Sequence, residues 1–151
     1  MFSILIPTFN NLNYLKICID SLKKNSKFNH QIIVHVNEGS DGTLQYLEDN
    51  NIEYTHTKVN VGMPKALNMA SKNAVLNYIL ISHDDFYYCP GWDIEFEKEI
   101  NSLNHNKFYL SGTMVGAGQV HFDAGKTFEN FNESKLIQNL DNIKTFNFQG
   151  T

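Results

Sequence analysis

Two aspartates, Asp84 and Asp85, follow the short apolar run Tyr78-Ile79-Leu80-Ile81 after the polar pair Ser82-His83. Adjacent carboxylates at a strand end suit a hard divalent cation, because Mg2+ or Mn2+ held by one or two carboxylates keeps positions for water and substrate phosphates. Taken alone, such a pair more often just caps a turn, here before Phe86. The rest of the chain weighs against that simpler reading. All 12 basic residues among the 151 are lysine, so no guanidinium fork can grip a phosphate, and a diphosphate must rely on lysine, backbone N–H groups or a metal.

Three other places carry usable chemistry. Glu38, in the turn-forming cluster Asn37-Glu38-Gly39-Ser40-Asp41-Gly42-Thr43, is either a solvated loop acid or an ionised acceptor for a nucleobase N–H or a ribose hydroxyl. Lys65, just after Pro64 in the first turn of a helix, is either an exposed lysine or a point charge beside a phosphate, assisted by the N–H groups of that turn. Pro7, Thr8 and Asn10 follow the first apolar run and complete the polar set. His83 belongs at most to an outer shell, since imidazole is a poor ligand for an oxygen-preferring ion. Trp92 and the run Phe86-Tyr87-Tyr88 could stack on a sugar or an acceptor, although aromatic residues at such positions more often fill a core.

The elements that must position these residues are readable from periodicity. Phe2 to Ile6, closed by Pro7, reads as a buried strand. Leu12, Leu15, Ile19 and Leu22 mark an amphipathic helix that Thr8, Asn10 or Asn11 could cap. Gln31–Val36 is a second strand, Leu44–Asp49 a helix and Ile52–Thr57 a third strand. Pro64 opens a helix running to Ala74. Tyr78–Ile81 is the fourth strand, a helix follows Pro90-Gly91, and Phe108–Thr113 reads as a fifth strand. Strands alternating with helices predict an α/β fold with an open, mostly parallel sheet and helices on both faces, in the manner of a Rossmann-like domain. In such sheets ligands bind beyond the carboxyl ends of the strands, where Thr8, Glu38, Lys65 and Asp84 all fall.

Composition narrows the function further. With 16 acidic against 12 basic residues, the net charge of -4 offers no basic excess for a nucleic-acid backbone. No run approaches the length of a membrane-spanning helix, and the start of the chain lacks the features of a secretory leader. Cys18 and Cys89, far apart in apolar surroundings, read as reduced thiols, which predicts a cytoplasmic protein. The 20 asparagines are scattered and carry no functional signal.

The combination resembles the nucleotide-binding half of a GT-A glycosyltransferase, similar to glycosyltransferase family 2. Ile4-Leu5-Ile6-Pro7-Thr8-Phe9-Asn10 resembles that family's first strand leading into Pro-x-Tyr-Asn, with Phe9 in the tyrosine place. Val36 to Thr43 resembles Val-Asp-Asp-Gly-Ser-x-Asp-Gly-Thr, one residue shorter and with Asn37 and Glu38 for the first two acids. Asn60-Val61-Gly62 and Ala66-Leu67-Asn68 match a third motif. Ser82-His83-Asp84-Asp85 is similar to the Asp-x-Asp metal motif, with serine in the leading position. The resemblance implies a nucleotide-diphosphate sugar donor, UDP- or GDP-linked, with Mn2+ or Mg2+ as cofactor and transfer with inversion in glycan biosynthesis. It implies Pro7, Thr8 and Glu38 around the base and ribose, Asn10 with them, Lys65 near base or phosphates, Asp84 on ribose or metal, and Asp85 on metal.

That family also carries an acidic general base well after the metal motif, often in a Glu-Asp pair. No such pair follows Asp85; Asp123, Glu129, Glu133 and Asp141 are the acids that best remain for the role. The reading therefore predicts one GT-A-like domain over residues 1–151, incomplete on its acceptor side, with acceptor and sugar undetermined. Two alternatives stay open. One is a nucleotide-sugar-binding module without transfer activity. The other is a sugar-1-phosphate nucleotidyltransferase, disfavoured because Pro7-Thr8-Phe9-Asn10 is not the Gly-rich, basic loop that such enzymes place after strand one.

Overall fold

The computed structural model describes residues 1–115 and 120–143. It divides into two compact units, residues 1–95 and 96–151. In the first, β1 (Phe2–Phe9), β2 (Gln31–Asn37), β3 (Glu53–Thr57) and β4 (Tyr78–Ile81) form one sheet in the order β3-β2-β1-β4. All three pairings are parallel. The chain thus builds outward from β1 through β2 to β3, then crosses back to place β4 on the other side of β1. The boundary between β1 and β4 is the point where strand order reverses, and from there the chain leaves β1 and β4 in opposite directions along the sheet.

Alternation along β1 decides the layers. Leu5 joins Ile33 and Ala70 in one buried cluster, against which Leu67 and Ala74 pack, so α3 (Met63–Ala70) covers that face. Ile4, Ile6, Val34 and Val36 turn the other way and are also fully buried. The buried stripe Leu15, Cys18, Ile19 and Leu22 of α1 (Leu12–Asn25) supplies their cover. Each such aliphatic side chain removed from water contributes about 1.5–3 kcal/mol before conformational entropy is set against it. α2 (Thr43–Asp49) follows β2 and buries Leu47.

Several boundaries differ from the periodic reading. β1 continues through Pro7 to Phe9. A proline in a central strand is normally excluded because it lacks a ladder donor. Here the Leu5 carbonyl accepts from Ser82 N–H at 3.0 Å, so alternate residues of β1 point their backbone groups at β4. Pro7 is the next residue pointing that way, and the pairing with β4 ends at Leu5–Ile81. The missing N–H therefore coincides with the end of the β1–β4 ladder. α3 stops at Ala70 and tightens into a 3-10 turn over Ser71–Asn73.

The second unit begins within α4 (Trp92–Ser102) and holds α5 (Glu133–Gln138) and α6 (Leu140–Ile143). Its Phe108–Thr113 segment is not a strand. The expected alternation is present, with Phe108 and Leu110 partly buried and Tyr109 exposed, but no ladder forms along it. Alternation specifies a two-sided ribbon and not a partner, and among the described residues this unit's only strand-like pairing is the single bridge Val115–Val120. No helix among the described residues is long and apolar enough to cross a membrane.

Candidate functional site

The first unit gathers the candidate residues at the carboxyl ends of its strands. Thr8, 2% exposed near the end of β1, donates from Oγ1 to Asp84 Oδ2 at 2.6 Å. This bond spans the point of strand-order reversal. Burial pushes the Asp84 carboxyl above the ordinary carboxylate range, and the neighbouring Asp85 charge adds to the rise. Hydrogen bonds from Thr8 and Asn11 oppose it without cancelling it. Asp85 is exposed beside it.

The two acids occupy the corner of a tight turn closed by Phe86 N–H on the His83 carbonyl at 3.4 Å. The His83 and Phe86 rings pack together with centroids 4.9 Å apart. Beneath the turn, the same His83 carbonyl receives the Cys18 thiol at 3.4 Å. Burial pushes that thiol up to about 12, so it stays protonated and unreactive. Neither Cys18 nor Cys89 is in a disulfide. Ser82, in the leading position of the motif, points inward: it is fully buried and its Oγ accepts from Tyr88 Oη at 2.7 Å. The carboxylates available there are therefore Asp84 and Asp85 alone, and no group of three or more His, Cys, Asp or Glu side chains able to hold a metal occurs among the described residues. Two adjacent carboxylates, one half-sheltered and one exposed, fit a hard cation that takes its remaining oxygens from water and a diphosphate.

At the end of β2 the backbone reverses sharply. Glu38 and Gly39 both take positive φ, 67° and 78°. Gly39 suits this, and a Cβ there would also meet Val36 Cγ1 at 2.8 Å. Glu38 does not, since left-handed backbone costs a residue with a Cβ about 1–2 kcal/mol. It is clamped there by its own N–H on the Thr57 carbonyl at 2.8 Å and by His56 Nε2 on its carbonyl at 3.0 Å. The Glu38 side chain is left exposed. Lys65 is likewise exposed, in the first turn of α3, after Gly62 at φ 77° and ψ 160°.

Asn10 Oδ1 accepts from Gly39 N–H at 3.1 Å and Ser40 N–H at 3.0 Å. It ties the end of β1 to the β2–α2 loop. Thr8, Asn10 and Asn11 do not cap α1. Asn11 holds the N-cap position without a side-chain bond, and Asp41 Oδ2 accepts from Leu12 N–H at 2.8 Å. Asp41 Oδ1 meanwhile takes the Thr43 N–H at 3.1 Å and hydroxyl at 2.7 Å. One carboxylate thus caps α1 and α2 together. Burial works against its charge, but these bonds outweigh it and hold its pKa below the ordinary range.

Two further residues that periodicity did not single out organise the unit. Asn37, 3% exposed, bonds to segments before and after it in the chain. Asp93, fully buried at the start of α4, accepts on Oδ2 from Lys27 N–H and Phe28 N–H, each at 2.8 Å, and from His30 Nε2 at 3.1 Å. His30 Nδ1 accepts from Phe2 N–H at 3.1 Å, which fixes the neutral tautomer with its proton on Nε2. Trp92 packs against Phe2, His30 and Tyr88 and donates from Nε1 to Ser26 Oγ at 3.0 Å. Tyr87 Oη accepts from Asn25 Nδ2 at 3.0 Å. The aromatic run is therefore chiefly structural; Phe86, 37% exposed, is its outward-facing ring. In the second unit, a side-chain bond from Thr127 holds the Glu129 carboxyl below the ordinary range, a poor starting point for a general base at neutral pH.

A parallel sheet flanked by helices, with a carboxylate held at its point of strand reversal, defines an open-sheet α/β protein. Residues 3–151 match the family described as glycosyl transferase family 2. The chain belongs to that family. It is 38% identical over 134 residues to an uncharacterized glycosyltransferase of Rickettsia bellii (strain RML369-C), covering 83% of this chain and 18% of that protein. It is 40% identical over 106 residues to one of Rickettsia prowazekii (strain Madrid E), covering 68% of this chain and 31% of that one. The chain thus spans less than a third of either relative. Among solved structures, S. aureus TarS 1-349 in complex with UDP-GlcNAc superposes with a TM-score of 0.60 at 23% identity, over 73% of this chain and 37% of that one. The likeness establishes the GT-A fold.

Proposed function

We propose that this chain forms the donor-binding part of a metal-dependent glycosyltransferase that takes a UDP- or GDP-linked sugar and transfers it with inversion. The observation that carries the reading is the Thr8–Asp84 bond, which sets a half-buried carboxylate in the crevice where strand order reverses. The TarS structures in complex with UDP-GlcNAc and with UDP support a nucleotide-sugar ligand.

In this reading Asp84 and Asp85 would hold Mn2+ or Mg2+, which when bound neutralises charge developing on the diphosphate leaving group. Thr8 and Asn11 fix the Asp84 carboxylate through their hydrogen bonds. Glu38, presented by its clamped backbone, accepts from the base or ribose, with Pro7 beside them, Thr8 supporting Asp84 from beneath and Asn10 holding the loop. Lys65 and the first-turn N–H groups of α3 attract the phosphates. The acceptor hydroxyl must lose a proton to a base, and no side chain of the second unit is assigned that part. A chain that binds donor and transfers nothing is the second reading, favoured by the Glu129 carboxyl, which is held too low for a good base at neutral pH.

The test is calorimetric titration of UDP and of GDP, with and without Mn2+, on the wild type and on Asp85→Ala. Metal-dependent binding that disappears in the variant supports the donor site, and a sugar-transfer assay then separates enzyme from binding module. Failure of both nucleotides under every metal condition defeats the reading.

A further inference from the structure

The buried amide at the end of β2 extends this reading and depends on it. Asn37 Nδ2 donates to the Thr8 carbonyl at 3.3 Å, and its Oδ1 accepts from Val61 N–H at 2.9 Å. Thr8 carries Asp84 through its hydroxyl. Val61 lies between Asn60 and Gly62, in the loop that opens α3 and delivers Lys65. Asn37 is itself joined by one peptide bond to Glu38. A single side chain thus connects the three segments that carry the acid, the lysine and the base-side acceptor.

An amide of this reach does this in its ordinary protonation state, and the shorter serine hydroxyl is expected not to span both partners. The Thr8 carbonyl needs a donor and the Val61 N–H needs an acceptor, so an ionised carboxylate satisfies only the second and an aliphatic side chain neither. The neighbouring anchors do not duplicate it. Thr57 Oγ1 donates to the Val59 carbonyl at 2.9 Å, lies 3.2 Å from His35 Nε2 and reaches Asn37 Oδ1 only at 3.5 Å, and Asn60 Oδ1 accepts from Gly62 N–H at 2.9 Å within its own loop; neither bonds to Thr8. At 3% exposure Asn37 is beneath the site's surface and offers no face to a ligand.

We propose that Asn37 is a positioning residue for nucleoside diphosphate binding: it touches no ligand, and it sets the spacing between the Asp84 side of the site, the Lys65 side and Glu38. A diphosphate spans these groups, so it is sensitive to their spacing; a ligand that reaches fewer of them is less so.

The experiment measures UDP and UMP affinity in Mn2+, with thermal stability in the same buffer, for the wild type, Asn37→Leu, Asn37→Ser and Asn37→Asp. Leu and Ser variants that remain folded are expected to bind UDP at least tenfold more weakly, with a smaller loss for UMP. Asn37→Asp keeps an acceptor for Val61 N–H in either charge state and is expected to fall between them and the wild type. Loss of folded protein alone would weaken both nucleotides alike. If Asn37→Leu does not fold, the Ser and Asp variants decide by the same ordering. Folded variants that bind UDP as the wild type does, or that lose UDP and UMP equally, overturn the proposal. A wild type that binds neither UDP nor GDP is a different result: it removes the donor-site reading, and this proposal with it.

Discussion

Thr8 Oγ1 and Asp84 Oδ2 lie 2.6 Å apart although 76 positions separate them in the chain. The bond exists because β1 and β4 are adjacent and parallel, so their carboxyl ends arrive at the same edge. It stabilises a carboxylate whose surroundings otherwise disfavour its charge.

The Asp84→Asn variant should therefore oppose stability to function. The raised pKa means that the folded protein holds this proton more tightly than the unfolded chain does, so folding weakens as pH rises from the ordinary carboxylate value through the folded one. An amide removes that penalty while still accepting from Thr8. In chelator at pH 7, Tm is expected to rise by roughly 2–4 °C, a gain that vanishes near pH 3.5. Metal-dependent UDP affinity should be lost in the same variant. A lower Tm at pH 7 would show that the charge stabilises the fold.

Glu38→Gly sets the same opposition through the backbone. At φ 67° the glutamate sits where glycine is at ease, and the relief, less the greater freedom of glycine in the unfolded chain, should amount to about 0.5–1 kcal/mol. Urea denaturation should show a higher midpoint with unchanged slope. Nucleotide affinity should fall at least several-fold, since the exposed acceptor is gone.

Histidines make the stability pH-dependent. Burial lowers the pKa of His30, against the pull of Asp93, and burial with the nearby His56 lowers that of His35. Both stay neutral in the fold while the unfolded chain takes up protons near pH 6.5. Their contribution is thus fully present above that value and is lost as pH falls through it toward the folded pKa values. Denaturation at pH 7.5, 6.5 and 5.5 should give progressively lower stability, and His30→Gln should flatten part of that slope.

Asp93→Ala tests the opposite end of the sheet. It withdraws the acceptor from Lys27 N–H, Phe28 N–H and His30 and should cost about 2–4 kcal/mol. β1 runs eight residues from Phe2 to Phe9, roughly 25 Å, so UDP affinity of the folded fraction should hardly change. A large loss of affinity without loss of stability would contradict this separation.

The strands, the helices on both faces and the gathering of Thr8, Glu38, Lys65 and Asp84 at one edge were legible because each follows from local periodicity and from where apolar runs stop. What periodicity could not supply was the partner of a polar side chain. Asn37 and Asp41 read as turn formers, yet parallel register, which sets Phe9 opposite Asn37, turns one into a tie between loops and the other into a shared cap. Nor does periodicity show that Asn10 Oδ1 accepts from Gly39 and Ser40 N–H and so ties two loops together. The same limit explains Phe108–Thr113, where alternation gave a ribbon without a neighbour.

The doubly capping Asp41 bears on how this unit opens. The N-termini of α1 and α2 lean on one anion, 29 positions beyond Leu12, so neither end can fray without loosening the other. Amide hydrogens in their first turns should exchange as a single cooperative unit, and the loop that carries Glu38 lies inside it.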